Sequence, residues 1–159
     1  MLSVHLRSVT AGTVAECLQL RVADAQRSLV ATNVQSLAEA YANPALHPLA
    51  IYDAAARGYE HPPVPMIGFA MYEVTAGIGF IQRLMIDRAY QGRGYGRAAL
   101  VALIRRLRLH PDVEEIATSH RRENVIAARL YARLGFVPWT IGWVQPEGEE
   151  VFLCLPGGG

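Results

Sequence analysis

Gly92, Gly94 and Gly96 alternate with Arg93 and Tyr95, a few residues after an apolar run that ends at Asp87. Glycine admits positive φ and lets a ligand come close to the backbone. If a helix follows at 97–109, its first amide N–H groups have no partner within it, and its dipole puts partial positive charge there. A glycine turn feeding a helix start is suited to holding a phosphate. A plain connection would use the same residues. The spacing is not that of the dinucleotide fingerprint, and no Gly-Lys-Ser/Thr follows as a P-loop requires.

A second group lies downstream. On a helix that begins at Glu123 or Asn124 and runs to Leu134, residues Asn124, Ala127, Ala128 and Tyr131 share one stripe at about 100° per residue. Small side chains at its middle let a linear molecule lie along it, with the Asn124 amide at one end and the Tyr131 phenol at the other. Asn124 equally serves as a helix cap, and Tyr131 as a half-buried aromatic. Ile126, Leu130 and Leu134 occupy another face and can serve the core. Glu73, Asp53, Glu39 and His120 are the groups that could take a proton, and each also fits an ordinary surface position. All fifteen basic residues are arginine, which excludes a lysine Schiff base or lysine general base. Cys17 and Cys154 form no metal or redox motif and read as buried free thiols. No metal site is expected.

These residues need elements to position them. Alternation suggests a strand at 3–9, a helix capped by Thr10 or Gly12-Thr13 and running to about Arg21, an ambiguous stretch at 27–34 and a short helix at 36–41. Strands follow at 49–54, 66–74 and 78–87, with short connections that suggest an antiparallel meander. A proline-rich loop at 58–65 separates the first two. Ala99, Leu100, Leu103, Ile104 and Leu107 form the apolar face of the helix after the glycines. A buried strand at 115–119, the Asn124 helix with Gly135 at its end, and strands at 136–144 and 150–155 complete the chain. Val137, Trp139, Ile141 and Trp143 share one strand face, which can line a site, join the core or meet a second copy. The order is an α/β arrangement with a mixed sheet.

With 159 residues, one domain over 1–156 and a flexible tail at 157–159 are expected. A net charge of +1 gives no global field for nucleic acid or a membrane surface. No apolar run approaches the roughly 18 residues of a membrane span, and residues 1–7 lack a signal-peptide core. A cytoplasmic location is expected.

The segment Gln91-Gly92-Arg93-Gly94-Tyr95-Gly96 resembles the acyl-CoA signature Q/R-x-x-G-x-G/A of the GCN5-related N-acetyltransferases. Residues 83–87 resemble the fourth strand of that family. Residues 124–136 resemble its later N-x-x-A-x-x-x-Y-x-x-x-G-F segment, in the expected order. The resemblance implies the family's fold: a mixed, mostly antiparallel sheet of about seven strands flanked by four helices. It also implies acetyl-CoA as donor and a small-molecule primary amine as acceptor. Backbone N–H groups from Gln91 to Arg97 would hold the pyrophosphate, with Arg93 and Arg97 adding charge. Pantetheine would pair with Leu84, Met85 and Ile86 and lie along Asn124, Ala128 and Tyr131. The Met85 N–H would face the thioester oxygen, and Tyr131 would stand near the sulfur as general acid. The acceptor site would be built from the N-terminal helices, the 58–65 loop and the last hairpin. Residues 31–41 and 51–53 are similar to bacterial diamine and polyamine acetyltransferases. Gln82 stands where such enzymes often carry an acid. A protein or peptide acetyltransferase and a non-catalytic acyl-CoA-binding module are the alternatives, and a homodimer is left open.

Overall fold

A computed structural model describes residues 2–56, 64–139 and 148–157. Seven strands form one sheet: β1 (Val4–Ser8), β2 (Leu46–Asp53), β3 (Met66–Thr75), β4 (Ile78–Ile86), β5 (Glu115–Arg121), β6 (Val137–Pro138) and β7 (Glu150–Leu155). Four helices accompany it: α1 (Val14–Gln19), α2 (Asn33–Ala42), α3 (Tyr95–Arg108) and α4 (Val125–Arg133). Strand order is β1-β2-β3-β4-β5-β7-β6. Pairing is antiparallel throughout except between β4 and β5, which run parallel because α3 carries the chain back across the sheet.

Each face of the sheet is covered. One apolar cluster joins Ala99, Leu100, Leu103, Ile104 and Leu107 of α3 to Ile67, Ile81 and Ile116 of the sheet, with Tyr131 and Phe136. The other joins Cys17 of α1 to Phe69, Met71 and Met85. Side chains alternate across a strand, so Met85 serves one face while Leu84 and Ile86 serve the other. All five apolar positions expected on α3 are buried.

The structure alters several local expectations. The first helix ends at Gln19, because Leu20 is extended and leaves the helix. The second starts at Asn33 rather than 36, where the Thr32 hydroxyl accepts the Gln35 amide and caps it. The ambiguous stretch just before it is preceded by a 3-10 turn at Asp24–Gln26. Helix α3 begins at Tyr95, two residues early, since Gly94 itself serves as its N-cap with φ of 92°. Ile126 is 67% exposed: Ala127, Leu130, Tyr131 and Leu134 form the face of α4 that packs on the core, and Ile126 lies to one side of it. The strand expected at 136–144 is described only as β6, with Trp139 beyond it. Residues 140–147, Trp143 among them, and residues 57–63 of the proline-rich loop lie outside the described residues.

Candidate active site

The site opens where two neighbouring strands part. Parallel pairing of β4 with β5 starts at Ile78↔Glu115 and ends at Ile81↔Thr118, although β4 continues to Ile86. On its other side β4 stays paired with β3, but the register slips: Met71 faces Arg83 and Tyr72 faces Ile81. Gln82 is therefore an extra residue, a β-bulge. A bulge bends its strand and raises its twist, which carries residues 82–86 away from β5.

The bulge also decides which backbone groups face the gap. In a strand, successive N–H groups point to opposite edges. Ile81 directs its carbonyl toward β5, where the Thr118 hydroxyl donates to it at 2.9 Å. Counting onward by twos would turn Met85 into the gap. The inserted Gln82 shifts that count by one. The Asp87 N–H donates to the Ile67 carbonyl of β3 at 2.8 Å, so Ile86 faces away from β3, Met85 toward it and Leu84 away again. The Ile86 carbonyl accepts the Gln91 side-chain amide instead of a β3 partner. The Met85 N–H is thus committed to the sheet, and the expectation that it faces the thioester is corrected. Leu84 and Ile86 present the free backbone edge.

A cavity of about 380 Å³ occupies the gap. Leu84 and Met85 line one side, and Ser119, His120, Asn124, Ala127 and Tyr131 the other, with Asn33 of α2 across its mouth. Ala128 is not among the lining residues, so the stripe of α4 that meets the cavity is narrower than expected. Asn124 does cap α4, since its Oδ1 accepts the Ala127 amide at 3.2 Å. That leaves the Asn124 Nδ2 donors for the cavity.

Tyr131 is 6% exposed and packed edge-on against Phe136, with its ring stacked on His120 at 6.2 Å between centroids. Burial pushes its phenol above the usual tyrosine range, and the neighbouring Thr118 hydroxyl opposes that in part. The His120 Nδ1 lies 2.7 Å from the Arg121 carbonyl. A carbonyl only accepts, so Nδ1 carries the hydrogen in the neutral ring and Nε2 keeps its lone pair. In that tautomer a nitrogen lone pair and a phenol line one cavity.

The glycine turn follows β4. Gly92 has φ of 76°, and a β-carbon there would meet nothing within 4 Å. Its backbone is open to a ligand, and α3 starts just beyond, with the amides of Tyr95, Gly96 and Arg97 in its first turn. No acid stands in that turn to compete with an anion. The Gln91 side chain bridges Gln26 and the Ile86 carbonyl at 2.9 Å each, so it braces the turn while its backbone remains available. Arg93 lies over the Tyr90 ring at 5.6 Å, and Arg97 is exposed. Tyr95 faces inward and donates its phenol to Asp53 at 2.5 Å, which ties the turn to the end of β2. That bond holds the Asp53 carboxyl below its usual range and raises Tyr95.

Asp53 is thereby removed from the candidate bases. Glu39 is engaged as well, in a 2.9 Å ion pair with Arg83. Glu73 lines a separate cavity of about 540 Å³ on the far side of the bulge, with Phe80, Gln82, Trp139, Glu150 and Phe152. Gln82 donates to the Glu73 carboxylate at 3.0 Å. The two cavities share Gln82, Arg83, Ser119 and Glu150. Asn33, Thr118 and Glu150 were not singled out from sequence. None of the three carried a distinct signal: Thr118 stands beside Ser119 in a strand whose only apolar residues are Ile116 and Ala117. Among the described residues no cluster of His, Cys, Asp or Glu could hold a metal, and no helix is long and apolar enough to cross a membrane.

An open strand edge leading into a glycine turn at a helix start has the chemistry to hold an extended amide chain attached to a pyrophosphate. Residues 15–136 match the model of the Acetyltransferase (GNAT) family. The chain is 31% identical over 160 residues to the spermine/spermidine N(1)-acetyltransferase of Bacillus subtilis (strain 168), covering 96% of this chain and 98% of that one. Among solved structures, AAC(6')-Ib in complex with ribostamycin and coenzyme A superposes with a TM-score of 0.72 at 22% identity, covering 96% of this chain and 93% of that one. The spermidine N-acetyltransferase of Vibrio cholerae in complex with CoA and spermine superposes with a TM-score of 0.66 at 17% identity over the same shares.

Proposed function

We propose a substrate class and a set of roles from one premise: the chain belongs to the acetyltransferase (GNAT) family and is an acyltransferase with acetyl-CoA as its co-substrate. The acceptor is a primary amine of a diamine or polyamine. The observation that carries this reading is the cavity beyond the bulge. Glu73 and Glu150 give it two carboxylates, and among the described residues neither is in an ion pair. Phe80, Phe152 and Trp139 supply aromatic faces, which attract alkylammonium groups. The acid missing at Gln82 is replaced from the adjacent strand, because Gln82 holds Glu73 in place. The polyamine specificity in the name of the Bacillus relative supports the same class.

The roles follow from the gap. The glycine-turn amides and the start of α3 bind the pyrophosphate, and Ile86 and Leu84 pair with the pantetheine. The Leu84 N–H donates to the thioester oxygen as it gains charge. An alkylammonium has a pKa of about 10.4, so it arrives protonated. His120 Nε2 takes that proton, directly or through a water. The freed amine forms the C–N bond, the C–S bond breaks and the Tyr131 phenol gives its proton to the departing sulfur, and the second proton that the new amide nitrogen sheds restores the phenol, directly or through a water.

Two experiments test this. The pair Glu73→Gln and Glu150→Gln, combined, is expected to lower kcat/KM for spermidine about tenfold and for n-butylamine by less than about threefold. A long polycation uses the second site and a monoamine does not. Equal losses on both amines, or none on either, contradict the polyamine reading. His120→Gln is expected to lower kcat about tenfold near neutral pH, with the deficit shrinking at higher pH as the amine sheds its own proton. A loss that is the same at every pH removes His120 from proton transfer.

A further inference from the structure

Asn33 is the first residue of α2, yet it is only 6% exposed. Its Nδ2 donates to the Cys17 carbonyl at 2.9 Å and lies 3.9 Å from the Met85 sulfur. A carbonyl only accepts, so the amide nitrogen is the atom that faces Cys17, and the orientation of the group is fixed. The other atom, Oδ1, receives no hydrogen bond from any described residue and is not sealed from solvent. Asn33 lines the cavity of the gap and also another of about 450 Å³ beside the α1–α2 connection, sharing both with Val30, Ala31 and Met85. With Nδ2 engaged by Cys17, the free oxygen is the polar side-chain atom that Asn33 presents there.

The side of the sheet matters. Both neighbours of the Asn33 amide, Cys17 and Met85, belong to the apolar cluster on the α1 face, whereas Tyr131 belongs to the cluster on the α3 face. The gap thus has its phenol on one face and a free amide oxygen on the other, so a departing sulfur and an entering nucleophile can stand on opposite sides of one carbonyl carbon. An amide oxygen only accepts, and it therefore selects a molecule that donates. An alkylammonium carries three N–H groups, and after it loses one proton the amine keeps two, with its lone pair free.

We propose that Asn33 positions the acceptor: its Oδ1 accepts one N–H of the amine in the gap and turns the nitrogen lone pair toward the thioester carbon. No covalent bond to Asn33 changes. Of the three ammonium protons, one leaves before attack and one leaves as the amide forms, and the N–H held by Asn33 is the one that remains in the product. The Nδ2 bond to Cys17 is what keeps the oxygen aimed. This rests on the amine acetylation proposed above.

Two substitutions in the full-length protein separate the oxygen from the nitrogen. Asn33→Ala removes both. Asn33→Asp keeps an accepting oxygen in nearly the same place and removes the donor to Cys17, and an acid suits the first turn of a helix. Both variants are expected to lower the urea midpoint, because the Cys17 carbonyl loses its donor. Only Asn33→Ala is expected to lower kcat/KM for spermidine by about tenfold, with the KM for acetyl-CoA changed less than about twofold. Asn33→Asp is expected to keep at least about a third of the wild-type kcat/KM, since its oxygen still receives the amine. Circular dichroism verifies folding, and Asn33→Leu, which fills the same space without polar atoms, takes the place of Asn33→Ala if the alanine variant is unfolded. Equal losses of kcat/KM in the two variants would mean that only the bond to Cys17 matters, and they overturn the proposal, as does a wild-type kcat/KM for Asn33→Ala. A wild-type protein that releases no thiol with any amine overturns the underlying amine reading instead.

Discussion

Tyr131→Phe is expected to lower kcat about a hundredfold and to leave the KM for acetyl-CoA within about twofold. The ring stays: Phe fills the same space beside Phe136 and under His120. Only the hydroxyl is lost, and with it the single phenolic donor among the described residues lining the gap. In the proposed reading acetyl-CoA is held by the glycine turn and the edge of β4, so its affinity has no reason to move. Burial holds Tyr131 protonated above the usual tyrosine range. The wild-type kcat should therefore show no descending limb below about pH 10, the ordinary phenol value. The same shift has a stability consequence. A raised folded-state pKa contributes stability that is intact below the unfolded pKa and is lost as pH climbs through the folded one. Tyr131→Phe should accordingly lose less stability than the wild type above about pH 10. Steady-state rates across pH and urea titrations at neutral and alkaline pH check both parts. An unchanged kcat removes the tyrosine from the mechanism.

Gly68→Ala is expected to cost about 3 kcal/mol of stability and to lower kcat about thirtyfold or more. Gly68 faces Ile86 across the β3–β4 ladder. A β-carbon there would lie 2.5 Å from the Met85 carbonyl oxygen and 2.9 Å from the Ile86 side chain. The first neighbour is backbone and cannot rotate away. Residues 84–86 must shift, and they carry the edge proposed to hold the pantetheine and thioester. Gly12→Ala is the control: the added carbon meets only Thr10 at an ordinary 3.7 Å. It should leave both urea midpoint and kcat unchanged. A Gly68→Ala protein with wild-type stability and rate would show that the edge tolerates displacement and does not place the thioester.

The two halves of the site differ in how readable they are. The glycine turn and the start of α3 follow from residues next to each other in sequence, and the five apolar positions of α3 from one helical period. They emerge without knowledge of the rest of the chain. The direction of the β4 N–H groups does not, because it depends on Gln82 being inserted opposite Met71 and Tyr72. Nothing in an apolar run from Ile78 to Asp87 marks which residue is extra. A one-residue insertion moves the donor from Met85 to Leu84. The candidate bases show the same limit. Asp53 and Glu39 have the right chemistry, but Tyr95 and Arg83 reach them from 42 and 44 residues away and engage them. Ile126 looks apolar and helical, yet it is exposed because the core-facing stripe of α4 is centred on Ala127, Tyr131 and Leu134. Glu73 and Glu150, the carboxylates proposed to face the acceptor, line one cavity from β3 and β7, far apart in the chain.

The central claim is that the gap between β4 and β5 transfers an acetyl group from acetyl-CoA to a polyamine. Initial rates of thiol release from acetyl-CoA by the wild-type protein test it most directly, with putrescine, spermidine, spermine, α-amino acids, an aminoglycoside and peptides compared side by side. The predicted result is amine-dependent release that is fastest with the polyamines. Release with peptides alone, or acetyl-CoA binding with no release for any amine, would contradict it.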